Sequence, residues 1–254
     1  MKNFNEYQLN LEKSLKQKLF FLDKIKIEDY DLIVDFGCGT GAVINEISKL
    51  VTKKNPTLIG YDINEEMLKF CSQKYDHIYF TKDLNLIEQN AKNYNKKLVI
   101  FSSVLHEISG FDQISIINYF MPLFDTIVIR DMKRPLNNEP ISNRTRKRVL
   151  SKVAKWQGEK FERRWGKIKD KIGLYRFFLM NEFVDNFDTE VEEDYFGVFW
   201  SQIDWAMEDE NYKLLYGNSF TLPYRKKQVQ KRFDHIMKDI THREAIYIKE
   251  NNDE

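Results

Sequence analysis

The segment Val34-Asp35-Phe36-Gly37-Cys38-Gly39-Thr40-Gly41 constrains the fold of this chain more than any other. A short apolar run, Leu32-Ile33-Val34, ends in an acidic residue and enters a turn with glycine at every second position. Glycine takes positive φ at little cost, and its missing side chain lets backbone and ligand approach closely. Apolar residues then recur with helical spacing from Val43 to about Leu50. The reading is a buried strand, a tight turn and a helix, whose first N–H groups are free to receive a guest. A phosphate is one such guest. The carboxylate-bearing tail of an amino-acid cofactor is another.

The same rhythm repeats downstream. Leu58-Ile59-Gly60-Tyr61 predicts a second strand and Asn64 to Lys74 a helix, with Asn64 as its N-cap and two glutamates in the first turn. Residues 78–80 predict a third strand, residues 84–94 a helix, and Leu98-Val99-Ile100-Phe101 a fourth strand. A helix over 112–120 and a fifth strand at Thr126-Ile127-Val128-Ile129 follow. Strands alternating with helices imply an α/β fold with a doubly wound parallel sheet. Before this unit, Leu11, Leu15, Leu19 and Leu22 predict an amphipathic helix over residues 5–27. After Pro135 the rhythm stops. Residues 141–176 are polar and basic with helical character, and 177–210 are aromatic and acidic. Pattern returns with a strand at 214–222, a basic helix at 223–239 and a last strand at 244–249. Three regions are expected: 1–135, a nucleotide-binding core; 136–210, a helical insertion that faces substrate; and 211–254, completing the core sheet.

Composition removes several classes. With 42% hydrophobic and 31% charged residues the chain is globular rather than disordered. The N-terminus lacks the apolar stretch of a signal peptide, and no run of about 18 apolar residues predicts a membrane helix. Two cysteines, Cys38 and Cys71, make no disulfide framework, and neither lies in a Cys-x-x-Cys or Cys/His cluster. A reduced, cytoplasmic protein without a metal or a membrane partner is expected.

Asp62 ends the second strand, 21 residues after Gly41. In a strand–helix–strand unit that position faces the ribose of a nucleotide, where a carboxylate accepts both hydroxyl protons. It also suits a helix N-cap, and the two roles are compatible. The dinucleotide fingerprint is G-x-G-x-x-G; here the third glycine comes one residue early and Asp35 precedes the turn. A pyrophosphate gains nothing from Asp35, whereas an adenosylmethionine site can face that carboxylate with its ammonium and sulfonium groups.

With these residues the chain resembles the class I S-adenosylmethionine-dependent methyltransferases. The D-x-G-x-G-x-G motif of that family matches Asp35, Gly37, Gly39 and Gly41, its ribose acid matches Asp62, and its adenine-contacting acid matches Asp83 in Thr81-Lys82-Asp83-Leu84. Its fourth-strand motif matches Phe101-Ser102-Ser103-Val104-Leu105-His106-Glu107. The resemblance covers roughly residues 28–135 and the last two strands. It implies a Rossmann-like sheet of seven strands, mostly parallel with the last antiparallel, carrying a helical insertion after the fifth. It also implies S-adenosyl-L-methionine as cofactor, held by Asp35, Gly37, Cys38, Gly39, Gly41, Asp62, Ile63, Met67, Lys82, Asp83, Leu84, Ser102 and Ser103.

The reaction centre is expected where the fourth and fifth strands end. His106 is a candidate general base, since its pKa lies near neutrality; a packing role is the alternative. Glu107 is adjacent, but neighbours diverge on a helix. Arg130 and Asp131 end the fifth strand and either touch substrate or pair with each other. Residues 141–176 carry 13 Lys/Arg against 3 Asp/Glu, a net of +10, whereas 181–210 carry 11 Asp/Glu and no Lys/Arg. The halves either pair internally, or the basic half, with Arg163, Arg164 and Trp165, faces a polyanion. The first expectation is methyl transfer to RNA, DNA or a nucleotide. The alternatives are an O- or N-methyltransferase for a small metabolite with 136–210 as a lid, and a catalytically silent cofactor-binding module. A dehydrogenase fits less well because its fingerprint is absent. Neither the D/N-P-P-Y/F signature of base amino-methylation nor the Pro-Cys pair of cytosine-C5 enzymes occurs.

Overall fold

The computed structural model describes residues 15–51, 55–181, 187–197 and 199–250. Seven strands form one sheet: β1 (Leu32–Phe36), β2 (Thr57–Tyr61), β3 (Tyr79–Thr81), β4 (Lys97–Ser102), β5 (Thr126–Met132), β6 (Tyr212–Phe220) and β7 (His242–Lys249). Their order across the sheet is β3-β2-β1-β4-β5-β7-β6. The pairs from β3 to β5 are parallel, and β7 runs antiparallel to both β5 and β6. The order reverses at β1, whose neighbours are β2 and β4, and a crevice opens at the carboxyl ends of the strands at such a switch point.

Burial on both faces explains the strand composition. β1 is buried at all five positions, and its residues divide by parity. Leu32, Val34 and Phe36 join one apolar cluster with Ile127 and Ile129 of β5. Ile33 joins the opposite cluster with Val128 and Ile246. The helices α1 (Ala42–Leu50), α2 (Glu65–Lys74), α3 (Leu84–Ala91) and α4 (Gly110–Phe120) connect the parallel strands. Asn64 caps α2 as expected, its side-chain oxygen accepting from the N–H groups of Glu66 and Met67. Asp83 caps α3 by accepting from Asn85 N–H at 2.9 Å.

The expected first helix differs. Residues 5–14 lie outside the described residues, and 15–18 are helical. The chain then tightens into 3-10 turns at Phe20–Asp23 and Ile27–Asp29. These turns drop Phe21, Ile27 and Tyr30 into the core against β1, which a continuous helix across 19–27 would not do.

After β5 come α5 (Asn143–Leu150), α6 (Lys155–Trp165), α7 (Lys171–Met180), α8 (Phe187–Glu190) and α9 (Trp200–Asp209); α10 (Pro223–Phe233) lies between β6 and β7. Packing divides them differently from the expected boundaries at 136 and 210. Trp200, Ile203, Ala206 and Met207 of α9 bury against the sheet. Val229 and Phe233 of α10 bury with α5, α6 and α7 in a second core. Helix α10 ends at Phe233 rather than near 239, because Asp234 takes left-handed φ (50°).

Gly37 shows how tightly the turn is specified. Its φ is +73°, and a Cβ there would lie 2.2 Å from Val104 Cγ2. Gly37→Ala is expected to lower stability by about 2–4 kcal/mol, combining left-handed strain with the clash. Denaturant unfolding measures this; a change under 1 kcal/mol would show that the β1 turn is not rigidly packed against Val104.

Candidate active site

The turn after β1 is held from three directions. Gly37 N–H and Cys38 N–H both donate to Tyr61 O, at 2.8 and 2.9 Å. Asp62, just beyond β2, accepts from Gly39 N–H through Oδ2 and from Asn64 N–H through Oδ1, both at 2.9 Å. Cys71 Sγ donates to Gly39 O at 3.2 Å. Gly37, Gly39 and Gly41 all have positive φ, so the alternating glycines are a backbone requirement. Ile63 stands 80% exposed beside the turn, whereas Met67 is buried. Lys82 pairs with Glu65 at the surface.

Two polar atoms beside this turn have no hydrogen-bond partner. Asp35 is buried and its Oδ2 is unpartnered; Ser102 at the end of β4 is buried and its Oγ is unpartnered. Burial pushes the Asp35 carboxyl up to about 7, against the opposing pull of Lys18. The Ile44 backbone N–H donates to this carboxylate and holds its pKa down in part, but the unpartnered Oδ2 leaves a desolvation cost that an incoming cation or donor would relieve. The donor set therefore fits a guest that brings positive charge to Asp35 and an acceptor surface to the glycine turn. An adenosylmethionine brings both: its ammonium and sulfonium carry positive charge, and its amino-acid carboxylate is an acceptor.

The β4 and β5 ends carry a second arrangement. Ser103 takes left-handed φ (61°), a strained conformation for a non-glycine residue. Asp131 over-determines the turn that follows. Its Oδ2 accepts from Val104 and Leu105 N–H at 3.0 and 2.7 Å, and its Oδ1 meets His106 Nδ1 at 2.6 Å and Met132 N–H at 2.7 Å. Arg130 projects from the other face of the sheet. It donates from Nη1 to Ser103 Oγ at 3.1 Å and from Nη2 to Gln17 Oε1 at 3.4 Å. Pairing between Arg130 and Asp131, one of the two expectations, is therefore not what the structure forms: Asp131 is occupied by the His106 turn.

Burial by itself would lower the His106 pKa, but the Asp131 carboxylate overrides it and raises the value to about 9, with Glu107 and Glu193 adding to the effect. The residues above His106 come from the acidic segment, which sequence spacing did not connect to it. Glu193 lies 3.7 Å from His106 Nε2, and the Tyr195 ring meets the imidazole edge-on at 5.4 Å. Burial, and then repulsion from Glu190, push Glu193 up to about 8. Leu105, His106, Asp131, Asp194, Tyr195 and Trp200 line a small cleft. Trp200 Nε1 donates to Met132 O at 2.7 Å, fastening α9 to the end of β5.

The charge-split halves meet each other. Lys160 pairs with Asp188, Arg164 with Glu192 at 3.0 Å and Arg176 with Asp194 at 3.3 Å. Trp165 lies against the guanidinium groups of Arg164 and Arg176, and its Nε1 donates to Val191 O at 2.7 Å. Arg164 and Trp165 thus face the acidic segment, while Arg163 is exposed. This is the internal pairing that the charge pattern left open.

Comparison with known proteins places this geometry. A family model described as a methyltransferase domain matches residues 33–120. Among curated relatives, protein 235L of Invertebrate iridescent virus 6, named as a methyltransferase, is 30% identical over 101 residues, or 40% of this chain and 36% of that protein. The ubiquinone/menaquinone biosynthesis C-methyltransferase of Wigglesworthia glossinidia brevipalpis is 34% identical over 73 residues, 29% of each chain. The chain thus spans about a third of the length of the curated relatives it matches. Among solved structures, magnesium protoporphyrin IX methyltransferase of Synechocystis with bound SAH superposes with a TM-score of 0.51 at 11% identity, over 95% of this chain and 84% of that one. An O-methyltransferase family protein from Burkholderia thailandensis gives 0.51 at 10% identity, over 95% and 59%. The fold is that of the class I methyltransferases. Residues 33–120, which carry the glycine turn, Asp62, Ser102 and His106, are the part that matches the methyltransferase-domain model.

Since the folded His106 pKa lies above its unfolded value, the pair with Asp131 contributes stability that is fully present below about pH 6.5. That contribution is lost as pH rises through about 9. The stability difference between wild type and His106→Gln is expected to shrink by up to about 1.4 kcal/mol per pH unit across that window. A pH-independent difference, measured by denaturant titration from pH 6 to 10, would show that His106 is not held as an imidazolium by Asp131.

Proposed function

We propose that the protein transfers a methyl group from S-adenosyl-L-methionine to a small-molecule acceptor bound at the carboxyl ends of β4 and β5. The observation that carries this reading is the glycine turn fastened to Asp62, beside the unpartnered Oδ2 of Asp35. In this reading Asp62 holds the ribose hydroxyls, and Ile63, Met67, Asp83 and Leu84 surround the adenine, with Lys82 at the rim. Gly37, Cys38, Gly39 and Gly41 approach the amino-acid end, and Asp35, Ser102 and Ser103 face its polar atoms. The bound cofactor supplies an electrophilic methyl group.

His106 is the residue placed to take a proton from the acceptor. At neutral pH it is an imidazolium, because its pKa is about 9. A cationic cofactor nearby opposes that charge and favours the neutral base. Asp131 fixes the ring through Nδ1 and leaves Nε2 facing Glu193 and the cleft. Residues 187–197 then serve as the lid, excluding water from His106.

The small acceptor is favoured over a nucleic acid because Lys160, Arg164 and Arg176 of the basic half pair with the acidic half. The relatives point the same way: one structural neighbour is a magnesium protoporphyrin IX methyltransferase and another is human N-acetylserotonin methyltransferase, at a TM-score of 0.50, 12% identity and coverage of 95% and 54%.

Two outcomes follow. Cofactor affinity, measured by calorimetry, is expected to rise between pH 6 and 8 as Asp35 ionises, and Asp35→Asn is expected to remove that dependence. Asp62→Ala is expected to weaken binding by about 1–3 kcal/mol through lost charged hydrogen bonds. No binding by folded wild type would falsify the reading. For the acceptor, Arg163→Ala/Arg164→Ala is expected to lower the melting temperature and leave affinity for an RNA oligonucleotide unaltered. A fixed melting temperature with a reduced salt slope of RNA binding would instead return the polyanion reading.

A further inference from the structure

Arg130 is the least explained charge in the molecule. It is 3% exposed, yet no carboxylate oxygen lies within 4 Å of its guanidinium among the described residues, and its Nε has no hydrogen-bond partner. Its two side-chain hydrogen bonds go to neutral groups, Ser103 Oγ and Gln17 Oε1. The carboxylates that act on it do so from a distance. Asp131 is taken by the His106 turn, and Glu244 accepts from Tyr216 and Asn218. Glu244 stands opposite Arg130 in the β5–β7 register, and its carboxylate and that of Asp131 favour the charged guanidinium without touching it. Burying a guanidinium with no direct carboxylate contact still carries a desolvation cost. The Phe220 ring, with its centroid 5.5 Å from the guanidinium carbon, returns only a part of that.

A second cation lies nearby. Arg225 of α10, 7% exposed, is close enough for its charge to act on Arg130. His242 of β7 is buried and feels Arg225, Arg130 and His106. Lys18, beside Gln17, acts on Asp35 from the edge of the same face. Burial, and then the charges of Arg225 and Arg130, hold His242 neutral, and Arg130 and Arg225 are the cations that approach each other near the carboxyl edge. Ser102, with its unpartnered Oγ, pairs with Arg130 in the β4–β5 register.

We propose that Arg130, backed by Arg225, is a binding residue for a carboxylate that enters the active site with a ligand. This rests on the methyltransferase reading and adds the chemical class of one ligand group to it. A guanidinium offers a fork of N–H donors that matches a carboxylate in two-point geometry. Nε and the remaining Nη hydrogens of Arg130 are available for it. Two ligands can supply that group: the amino-acid end of the cofactor, or the methyl acceptor itself.

The experiment uses full-length protein, wild type and Arg130→Gln, with Arg130→Lys retaining the charge. Calorimetry compares S-adenosylhomocysteine with its decarboxylated analogue, and thermal unfolding of the S-adenosylhomocysteine complex compares sodium benzoate with sodium chloride at equal ionic strength. If the carboxylate is the cofactor's, wild type binds the intact compound at least about tenfold more tightly than the decarboxylated one, as expected for a charged hydrogen-bonded pair. Arg130→Gln then erases that ratio, and Arg130→Lys keeps part of it. If it is the acceptor's, the two nucleosides bind wild type and Arg130→Gln alike. Benzoate then raises the melting temperature of wild type beyond the chloride control and does not raise that of Arg130→Gln. In both cases ligand-free Arg130→Gln melts no lower than wild type, because a buried charge with no direct carboxylate contact is gone. A lower melting temperature for Arg130→Gln, with the nucleoside ratio and the benzoate response unchanged from wild type, overturns the proposal and makes the guanidinium a structural element. Failure of wild type to bind either nucleoside overturns the cofactor reading instead. The benzoate response of the ligand-free protein then decides the site alone.

Discussion

The site depends on a carboxylate outside one strand that holds the turn outside its neighbour. Asp62 reaches across from β2 to Gly39 N–H, while Tyr61 O receives Gly37 and Cys38 N–H. Because β1 and β2 pair in parallel with Phe36 opposite Tyr61, the two strands deliver turn and carboxylate to the same edge. The turn can be this sharp only because three glycines accept left-handed φ. What the site presents to a guest is therefore backbone and one fixed acid, with Asp35 buried behind them. A preorganised site of this kind loses little entropy when its ligand arrives.

Asp131 plays the corresponding role on the other half of the edge. It satisfies two backbone N–H groups of the turn after β4 and aims His106 into the cleft. The neighbouring residue Arg130 faces the opposite side of the sheet, since successive side chains on a strand alternate. The end of β5 thus carries an anchored imidazole on one face and a buried guanidinium on the other.

Much of this was legible in the chain itself. The parallel strands announce themselves as apolar runs followed by turn residues, since burial on both faces demands continuous hydrophobicity. The Asp35-to-Gly41 segment and Asp62 mark the cofactor edge because local backbone geometry dictates their residue types. The segment over His106 was not legible in the same way. That Glu193 and Tyr195 come to rest on His106 is decided by how α8 and the following turn pack, and no local pattern encodes a contact so distant in sequence. The charge split of the insertion admitted two readings for the same reason: composition gives the charges, and only the tertiary arrangement pairs Arg164 with Glu192. The separation of Arg130 from Asp131 followed from strand alternation, and it was missed because adjacency in sequence suggested pairing. The second core, which takes in α10 from beyond β6, likewise reflects a crossover that periodicity does not reveal.

The central claim is that His106 and the glycine turn flank one reaction centre. Adenosylmethionine labelled with carbon-13 at the methyl group, bound to the full-length protein, tests it by nuclear Overhauser contacts from that methyl. A bound resonance is expected with contacts to the ring protons of His106 and to residues of the 102–105 turn, weakened as Asp62→Ala lowers the occupancy. A bound methyl whose contacts lie elsewhere, with none to His106, would contradict it.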